Sequence, residues 1–480
     1  MSRKQGALAM LVGLSLLALV APAAVAGART ATPIQHVIII VQENHSFDNY
    51  FGTYPTANGT LVNSITSQLP PVVGIPNSVC VPYRGGCLSP TLSTSSAPAD
   101  PSEGQLVYEA DYANNATGFA ANSGPQSMVY FDYHSVPAYW DYAEEYGLGD
   151  NYFSAVLSET TPNRLMLLTG DTPVAADNPA PPYLPYSESV MSQLDGAGVS
   201  WGYYDYLSSP SAASTLYPLD YLSGIPQSAL SNVKDLSSLY GDLSSGSGLP
   251  SVSFVNSLNN KTYDEHPAAN PSSGEQWVVS VVNRVMESAY WNTTAIFITW
   301  DEGGGFYDQV VPPAEFTIDH GFQSPLLGYG QRVPLLVISP YSIEAHVSST
   351  LLSHLSLIRF IDYNWNLPAL NSNVADAGLP LDFFNFSQHA RPPIVLGTSG
   401  AYSSSTYPVP LQIPLSAGAT QTSSALVSAG TGGYGAMLQL GLSGGLILAG
   451  TLVLVAVWRV RARPASSHVQ DDPGRDRRHD

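Results

Sequence analysis

Short apolar runs along the chain predict the strands of a buried sheet. The run at 37–41, VIIIV, consists of β-branched residues without polar alternation, which is typical of a central strand covered on both faces. Further strands are predicted over 155–157, 199–203, 251–255, 294–300 and 332–341. Helical spacing predicts helices over 136–146 and 275–288, and Pro162 marks the first turn of another. We therefore expect an α/β fold.

Two of these strands end abruptly in oxygen-bearing polar residues. Glu43 and Asn44 follow the first run, and Asp301 and Glu302 follow the run at 294–300. In open α/β sheets ligands bind at the carboxyl ends of the strands, so these residues lie where a site would form. Carboxylates and a side-chain carbonyl are hard ligands that suit a divalent cation. The structural alternative after the first strand is a simple Asx turn.

A helix N-terminus provides a candidate nucleophile. Thr160 or Thr161 is expected to cap the helix whose first turn contains Pro162. Such an N-terminus presents free N–H groups and a positive partial charge to an anion, which suits a hydroxyl that attacks phosphate. A plain N-cap without a catalytic role is the alternative for this segment.

Residues 43–52, ENHSFDNYFG, resemble the signature E-N-R-S-F-D-x-x-F-G of the bacterial phosphoesterase family, with His45 at the position of the usual arginine. That family contains phosphatidylcholine-type phospholipases C and a group of acid phosphatases. Further segments that resemble its motifs are 150–170, 264–267, 301–313, 332–341 and 353–361. The resemblance covers about residues 33–370. It implies a three-layer α/β/α sandwich with a largely parallel central sheet, similar to that of alkaline phosphatase.

The resemblance also implies a role for each residue of the site. The implied ligands of one divalent metal ion, whose identity the sequence leaves open, are Glu43, Asn44, Asp301 and Glu302. The implied catalytic residues are the nucleophile Thr160 and two histidines that contact the phosphoryl oxygens or protonate the leaving group, His266 and His354. The implied substrate-binding residues are Asn163 and Arg164. Ser158 and Thr161 compete with Thr160 for the role of nucleophile.

Three departures from the family pattern bear on activity. The segment 99–112 contains no histidine where the family has an active-site histidine, and Glu109 or Asp111 is expected to stand near that position. Gln309 stands where histidine is usual, and Ser353 replaces an acidic residue. These departures favour, as a function of a different class, a cell-surface binding protein that keeps the fold but has lost catalysis.

The two ends of the chain resemble targeting segments. Residues 1–26 have a positive start, an apolar core and a small-residue cleavage site, which predict a signal peptide. Residues 436–458 are long and apolar enough to cross a bilayer, and arginines follow them directly. We therefore expect a phosphoesterase domain at 27–390, a Ser/Thr/Gly/Pro-rich linker at 391–435 and a cytoplasmic tail at 459–480. A single transmembrane helix would hold the catalytic domain at the cell membrane, outside the cytoplasm.

Charge and cysteine content narrow the possible partners. Residues 31–458 carry 33 Asp or Glu against eight Lys or Arg, a net charge near −25. Nucleic acid is excluded as a partner, because its phosphate backbone requires a basic surface. Cys80 and Cys87, the only cysteines, are expected to form a disulfide around a small loop outside the cytoplasm.

These observations predict a metal-dependent phosphoesterase that cleaves phosphate esters through a threonine nucleophile. The first expectation is an extracytoplasmic enzyme similar to an acid phosphatase. The alternative within the family is a phospholipase C that acts on phospholipid head groups, since the predicted anchor would hold the domain near a membrane. The expected substrate is accordingly a small phosphate ester or a phospholipid.

Overall fold

The apolar run at 37–41 forms the centre of the sheet. Strand β1 (His36–Gln42) pairs in parallel with a strand on each side, and residues 37–41 are all buried. A strand with two partners and covered faces exposes no side chain to water, which is why its sequence is apolar throughout. The predicted central strand is thus confirmed.

The computed structural model describes residues 29–57, 60–61, 72–76, 78–177, 184–207, 217–246, 248–313 and 329–397. The strands are β1 His36–Gln42, β2 Thr56–Ala57, β3 Thr60–Leu61, β4 Val81–Tyr83, β5 Gly86–Leu88, β6 Thr91–Leu92, β7 Val129–Tyr130, β8 Gly147–Gly149, β9 Tyr152–Phe153, β10 Leu184–Pro185, β11 Trp201–Asp205, β12 Leu222–Ser223, β13 Val233–Asp235, β14 Val252–Asn256, β15 Thr294–Trp300, β16 Leu335–Ile338, β17 His346–Ser348 and β18 Leu352–Ser353. The α-helices are α1 Phe47–Phe51, α2 Gln105–Ala116, α3 Phe119–Asn122, α4 Pro137–Glu145, α5 Thr160–Thr169, α6 Val190–Ala197, α7 Gln227–Leu230, α8 Leu236–Ser245, α9 Pro271–Met286, α10 His354–Asn364 and α11 Ser372–Asp376.

One mixed, mostly parallel sheet organises these elements. Its strand order is β13-β11-β14-β1-β15-β16-β8-β17, and β16 is antiparallel to both of its neighbours whereas the other pairs are parallel. Helices α4, α8 and α9 pack together, and α5, α6, α10 and α11 form a second group. The α/β class and the largely parallel sheet are therefore confirmed. Because β14, β1 and β15 are parallel neighbours, their carboxyl ends lie side by side.

Local sequence explains where the helix next to the site begins. The Asn270 side chain accepts the N–H of Ser272 as the N-cap of α9, and Pro271 occupies the first helical position, where its missing N–H costs no hydrogen bond. The buried face of α9 includes Trp277 and five valines. The helix predicted at 275–288 is confirmed and starts four residues earlier.

The turn before α5 differs from the sequence prediction. The chain bends at 155–157 instead of forming a strand, because Asn163 Oδ1 accepts the N–H of Val156 at 2.9 Å and holds the segment in a local turn. The N-cap of α5 is Glu159, and Thr160 is the first residue of the helix rather than its cap. The predicted helix start near Pro162 is nevertheless correct to within two residues.

Several predictions about the ends lie outside the described residues. The signal peptide at 1–26, the span at 436–458 and most of the linker remain predictions. Within the described ranges, no helix has the length and apolar character needed to cross a membrane. All described residues belong to one compact unit, 1–413. Cys80 and Cys87 form the expected disulfide, which joins the two strands of the β4–β5 hairpin.

A buried arginine holds several family motifs together. Arg332 makes ion pairs with Asp48 at 2.9 Å, with Asp150 at 3.1 Å and with Asp308 at 3.1 Å. Its guanidinium also stacks on the ring of Phe47 at 4.2 Å. Burial and the neighbouring Asp308 raise the pKa of Asp48 well above its ordinary value. Four distant segments of the chain therefore share one buried cation.

Replacing Arg332 with Met should lower the free energy of unfolding by about 3–5 kcal/mol, because three carboxylates would lose their buried cation. Urea unfolding of the purified protein measures the loss. The control is Arg359→Gln, since Arg359 is only partly buried and donates to the Val374 carbonyl at 3.4 Å. An equal shift in both variants would contradict the role given to Arg332.

Other buried carboxyl groups make stability depend on pH. Burial raises the pKa of Asp205, Glu265 and Asp362 to about 7 each. The folded protein therefore holds these protons to higher pH than the unfolded chain, whose carboxyl groups titrate near pH 4. A raised carboxyl pKa stabilises the fold below the unfolded value, and this stabilisation is lost as the pH rises through the folded value.

We therefore expect the free energy of unfolding to fall between pH 5 and pH 8. Urea midpoints at the two pH values measure the change. Asp205→Asn should reduce the difference, because the amide stays neutral at both pH values. A higher midpoint at pH 8 than at pH 5 would contradict this account.

Candidate active site

The ends of β1 and β15 bring the predicted carboxylates together. The Asn44 N–H donates to Asp301 Oδ1 at 3.2 Å, and the Asp301 N–H donates to the Gln42 carbonyl at 3.0 Å. Asn44 adopts a left-handed conformation with φ of 59°. A Cβ at Gly304 would lie 2.4 Å from the Asn44 carbonyl oxygen, so only glycine permits this close approach. The two segments therefore form one continuous site.

Arg164 lies at the centre of this site. Its Nη2 is 2.6 Å from Glu43 Oε1, its Nε is 3.1 Å from Asp301 Oδ2, and its Nη1 donates to Asn256 Oδ1 at 2.9 Å. The guanidinium and both carboxylates are buried. The residue predicted to bind substrate is thus engaged by two of the predicted metal ligands and by the end of β14.

Thr160 lies one helical turn before Arg164, on the same face of α5. This i, i+4 spacing directs both side chains toward the same surroundings. Thr160 is partly exposed at the first position of the helix, where backbone N–H groups lack helical partners. Thr160 is therefore at the positive end of α5, one turn before the arginine that binds two buried carboxylates.

The competing hydroxyls are engaged elsewhere. The Ser158 hydroxyl donates to the Ala175 carbonyl. The Thr161 hydroxyl shares a hydrogen bond with the Tyr217 hydroxyl at 2.8 Å, and both Ser158 and Thr161 are buried. These contacts distinguish the two residues from Thr160.

Asn163 is used within the turn that precedes α5. Its Oδ1 accepts from Val156, and its Nδ2 donates to the carbonyls of Ser158 and Glu159 at 2.9 and 3.1 Å. The side chain is fully buried. Its hydrogen bonds shape the backbone that carries Thr160, and its predicted contact with substrate stays a prediction.

The two predicted histidines differ in their surroundings. His354 is buried, its Nε2 bonds the Trp300 carbonyl at 3.0 Å, and its Nδ1 has no hydrogen-bond partner. Burial lowers the pKa of His354 to about 4, so the ring is neutral at pH 7. His266 is partly buried, and although burial lowers its pKa, the charges of Glu43 and Glu103 raise it above the ordinary value.

A buried carboxylate supports the loop of His266. Glu265 adopts a left-handed conformation with φ of 71°. It accepts hydrogen bonds from the hydroxyls of Tyr50 and Tyr139 at 2.8 and 2.5 Å and from Trp300 Nε1 at 2.9 Å. The sequence places a carboxylate beside the histidine, but its partners come from elements far away in the chain.

Glu302 and Asn44 each present an oxygen without a partner. Glu302 Oε2 accepts from the Tyr108 hydroxyl at 2.6 Å and from the Gly304 N–H at 2.8 Å, whereas Oε1 has no hydrogen bond. Asn44 Oδ1 also lacks one, and both side chains are buried. Buried oxygens without partners are costly unless a cation or a donor satisfies them.

Glu103 is a site residue that the sequence analysis missed. Its Oε2 accepts from Asn44 Nδ2 at 2.7 Å. Burial, followed by the charge of Glu103, raises the pKa of Glu302 well above its ordinary value. Burial raises the pKa of Glu103 itself to about 7. Glu109 and Asp111 have other partners, Gln105 Nε2 at 3.1 Å and the Ser123 hydroxyl at 2.5 Å. The sequence signal that could have identified Glu103 is its acidic side chain within the segment 99–112, which lacks the family histidine.

The site contains more acidic than basic side chains. Arg164 binds Glu43 and Asp301, and two further acidic side chains, Glu103 and Glu302, lie beside Asn44 and Gly304. Burial, followed by the charge of Glu43, raises the pKa of Asp301 to about 7. Within the described ranges, no three His, Cys, Asp or Glu side chains are arranged to hold a metal ion, and Arg164 lies between the carboxyl groups of Glu43 and Asp301. The donor types, the excess of acidic groups and the two unpartnered oxygens nevertheless fit a hard divalent cation.

The three other residues that depart from the family pattern, His45, Gln309 and Ser353, each contact neighbouring residues of the fold. His45 is buried between the rings of Tyr50 and Phe306, with centroids 4.3 and 5.1 Å away. The N–H of Gln309 donates to Asp48 in the Arg332 cluster. Ser353 is the N-cap of α10 in a capping box. These contacts stabilise the fold around the site.

Comparison with known proteins agrees with this geometry. Residues 34–368 match the Phosphoesterase family. Phospholipase C A of Mycobacterium tuberculosis is 27% identical over 425 residues, which cover 75% of this chain and 78% of the relative. Non-specific phospholipase C4 of Arabidopsis thaliana is 27% identical over 361 residues, which cover 66% of this chain and 63% of the relative.

Solved structures with some likeness include a protein in the alkaline phosphatase superfamily from Vibrio parahaemolyticus. It aligns with a TM-score of 0.33 and 10% identity over 52% of this chain and 66% of that chain. The family match spans most of the chain, from just before β1 to just after α10. This chain belongs to the Phosphoesterase family.

Proposed function

We propose that this protein is a metal-dependent hydrolase of the phospholipase C type, which cleaves a phospholipid head group by attack of Thr160 on phosphorus. The observation that carries the proposal is the shared face of α5. One turn of helix separates the partly exposed Thr160 from an arginine held by two buried carboxylates. This arrangement supports a site in which a nucleophile at a helix N-terminus would act beside hard oxygen ligands.

The reaction would proceed in two steps. Thr160 would lose its hydroxyl proton to solvent water, its oxygen would form a bond to phosphorus, and the bond to the leaving oxygen would break. His266, at the partly exposed side of the site, would protonate that oxygen, while His354 would contact the phosphoryl oxygens. Water then cleaves the phosphothreonine and restores the hydroxyl. The N–H groups at the start of α5 would stabilise the negative charge that develops on the phosphoryl oxygens.

One divalent metal ion is part of the proposal. Glu43, Asn44, Asp301 and Glu302 would hold it, and Glu103 adds a further carboxylate beside Asn44. When bound, such an ion lowers the pKa of a nearby hydroxyl and neutralises phosphate charge. The excess of carboxylates over Arg164 supports this part of the proposal.

The phospholipase C activity is favoured over the acid-phosphatase activity expected first from the sequence. Curated relatives from bacteria and plants are phospholipases C by name. A catalytically impaired binding protein is less well supported, because Gln309 and Ser353 have structural partners and a carboxylate stands where a histidine was missing. The predicted span at 436–458 would hold the enzyme at the outer face of the cell membrane, next to lipid.

Exchange of the nucleophile tests the function. Thr160→Ala should reduce turnover of phosphatidylcholine vesicles by at least about a thousandfold, because the attacking oxygen is lost. Thr160→Ser should keep part of the activity. Ser158→Ala and Thr161→Ala are the matched controls and should lose far less, since Thr161 supports only the first turn of the helix.

Release of phosphocholine and of 4-nitrophenol from its phosphate monoester, measured in parallel, distinguishes the substrates. Hydrolysis of the monoester alone would favour the phosphatase, and hydrolysis of neither would favour a binding protein. Full activity of Thr160→Ala would place the nucleophile elsewhere.

Removal of two carboxylates tests the metal site. Asp301→Asn with Glu302→Gln should reduce bound divalent metal from about one ion per chain to none, because two hard anionic ligands become neutral amides. Elemental analysis after dialysis measures the metal, and circular dichroism checks the fold. The control, Glu109→Gln with Asp111→Asn, makes the same charge change outside the cluster and should keep the metal. Unchanged metal content in the first variant would exclude this site.

A further inference from the structure

Lys261 is an exposed cation beside the candidate active site. It is one of only three lysines in the chain, and its side chain is 71% exposed. It lies between β14 and α9, in the same connection as His266. Its Nζ is 2.9 Å from Asp264 Oδ2. The ammonium group is therefore held in place by one carboxylate but remains open to solvent.

Asp264 connects this lysine directly to the site. Its carbonyl accepts the N–H of Glu43 at 2.9 Å, and its Oδ1 accepts the N–H of His266 at 3.1 Å. Asp264 is fully buried. Lys261 is also attracted by Glu43 and repelled by Arg164, so it lies within electrostatic reach of the central ion pair. Asp264, which holds Lys261, thus contacts the backbone of a predicted metal ligand through its carbonyl and that of a predicted catalytic histidine through its side chain.

The acidic groups of the site create a need for such a cation. A phosphate ester at the site would lie near Glu43 and Asp301, and the guanidinium of Arg164 is buried and engaged by both of them. A lysine ammonium is a mobile point charge that binds phosphate oxygens without fixed geometry. Its long side chain allows it to reach beyond Asp264 without breaking the loop.

We propose that Lys261 is a substrate-positioning residue that binds the negative charge of the ester at the mouth of the site. The site would consequently favour phosphate esters with a net negative charge over esters whose head group cancels it. This proposal rests on the proposed hydrolysis of phosphate esters and adds a preference for the charge of the substrate.

A series of substrates with different charges tests the proposal. The probes are 4-nitrophenyl phosphate, a dianion at pH 8, bis(4-nitrophenyl) phosphate, a monoanion, and 4-nitrophenyl phosphocholine, a zwitterion without net charge. Lys261→Gln should lower kcat/KM by about twentyfold, about fivefold and less than about twofold, respectively. The loss should be mainly in KM, because Lys261 acts before the chemical step. Lys261→Arg should restore most of the activity.

Lys234 provides the matched control. It forms an ion pair with Asp242 at 3.0 Å and is 31% exposed, but it lies on the strand at the edge of the sheet. Lys234→Gln removes the same charge and should leave the ratios among the three kcat/KM values unchanged. Losses of equal size for all three probes in Lys261→Gln, or a loss confined to kcat, would overturn the proposal and assign Lys261 a structural role.

Binding of inorganic phosphate separates this proposal from the proposed function. Isothermal calorimetry with the full chain should show about fivefold weaker binding in Lys261→Gln than in Lys234→Gln and the unmodified protein. If no probe is hydrolysed but this difference appears, the proposed function fails and the role of Lys261 stands. Equal phosphate affinity in all three proteins would overturn the role of Lys261, whatever the turnover.

Discussion

The site depends on the guanidinium of Arg164, which is shared between Glu43 and Asp301. This contact joins the ends of two neighbouring strands to the first turns of α5. All three charged groups are buried, so water cannot replace a lost partner, and removal of one would leave an unpaired charge in the interior. The same contact determines where the N-terminus of α5 lies, and with it the hydroxyl of Thr160.

Two buried arginines form two separate ion-pair clusters within the family motifs. Arg164 forms one at the site, and Arg332 forms the other, which we call the scaffold. Within the segment 43–52, Glu43 faces Arg164 whereas Asp48 faces Arg332. In the motif that follows β15, Asp301 faces the site and Asp308 faces the scaffold. Each arginine has too little charge to neutralise its carboxylates. A raised carboxyl pKa reduces the negative charge in both places, at Asp48 in the scaffold and at Asp301 in the site. At the site a divalent ion and an exposed lysine would reduce it further.

The residues that depart from the family pattern make contacts with the residues around them. A ring stack and two hydrogen bonds hold His45, so this imidazole fills a buried space that needs no charge. Glu103 reaches Asn44 from the segment that lacks a histidine. Its carboxyl group makes the site more acidic and strengthens the requirement for cations.

The sequence by itself determined five strands of the sheet, β1, β11, β14, β15 and β16, the helices α4 and α9, and the strand ends that carry Glu43, Asn44, Asp301 and Glu302, because apolar runs and caps are local signals. It failed at 155–157, where a side chain of α5 captured the backbone that would have formed a strand. Tertiary structure alone decided that Arg164 is shared by two carboxylates, that Glu103 bonds Asn44, and that Asp264, the partner of Lys261, contacts the backbone of Glu43. These contacts join residues that are far apart in the chain, and ion pairs leave no periodic pattern in a sequence.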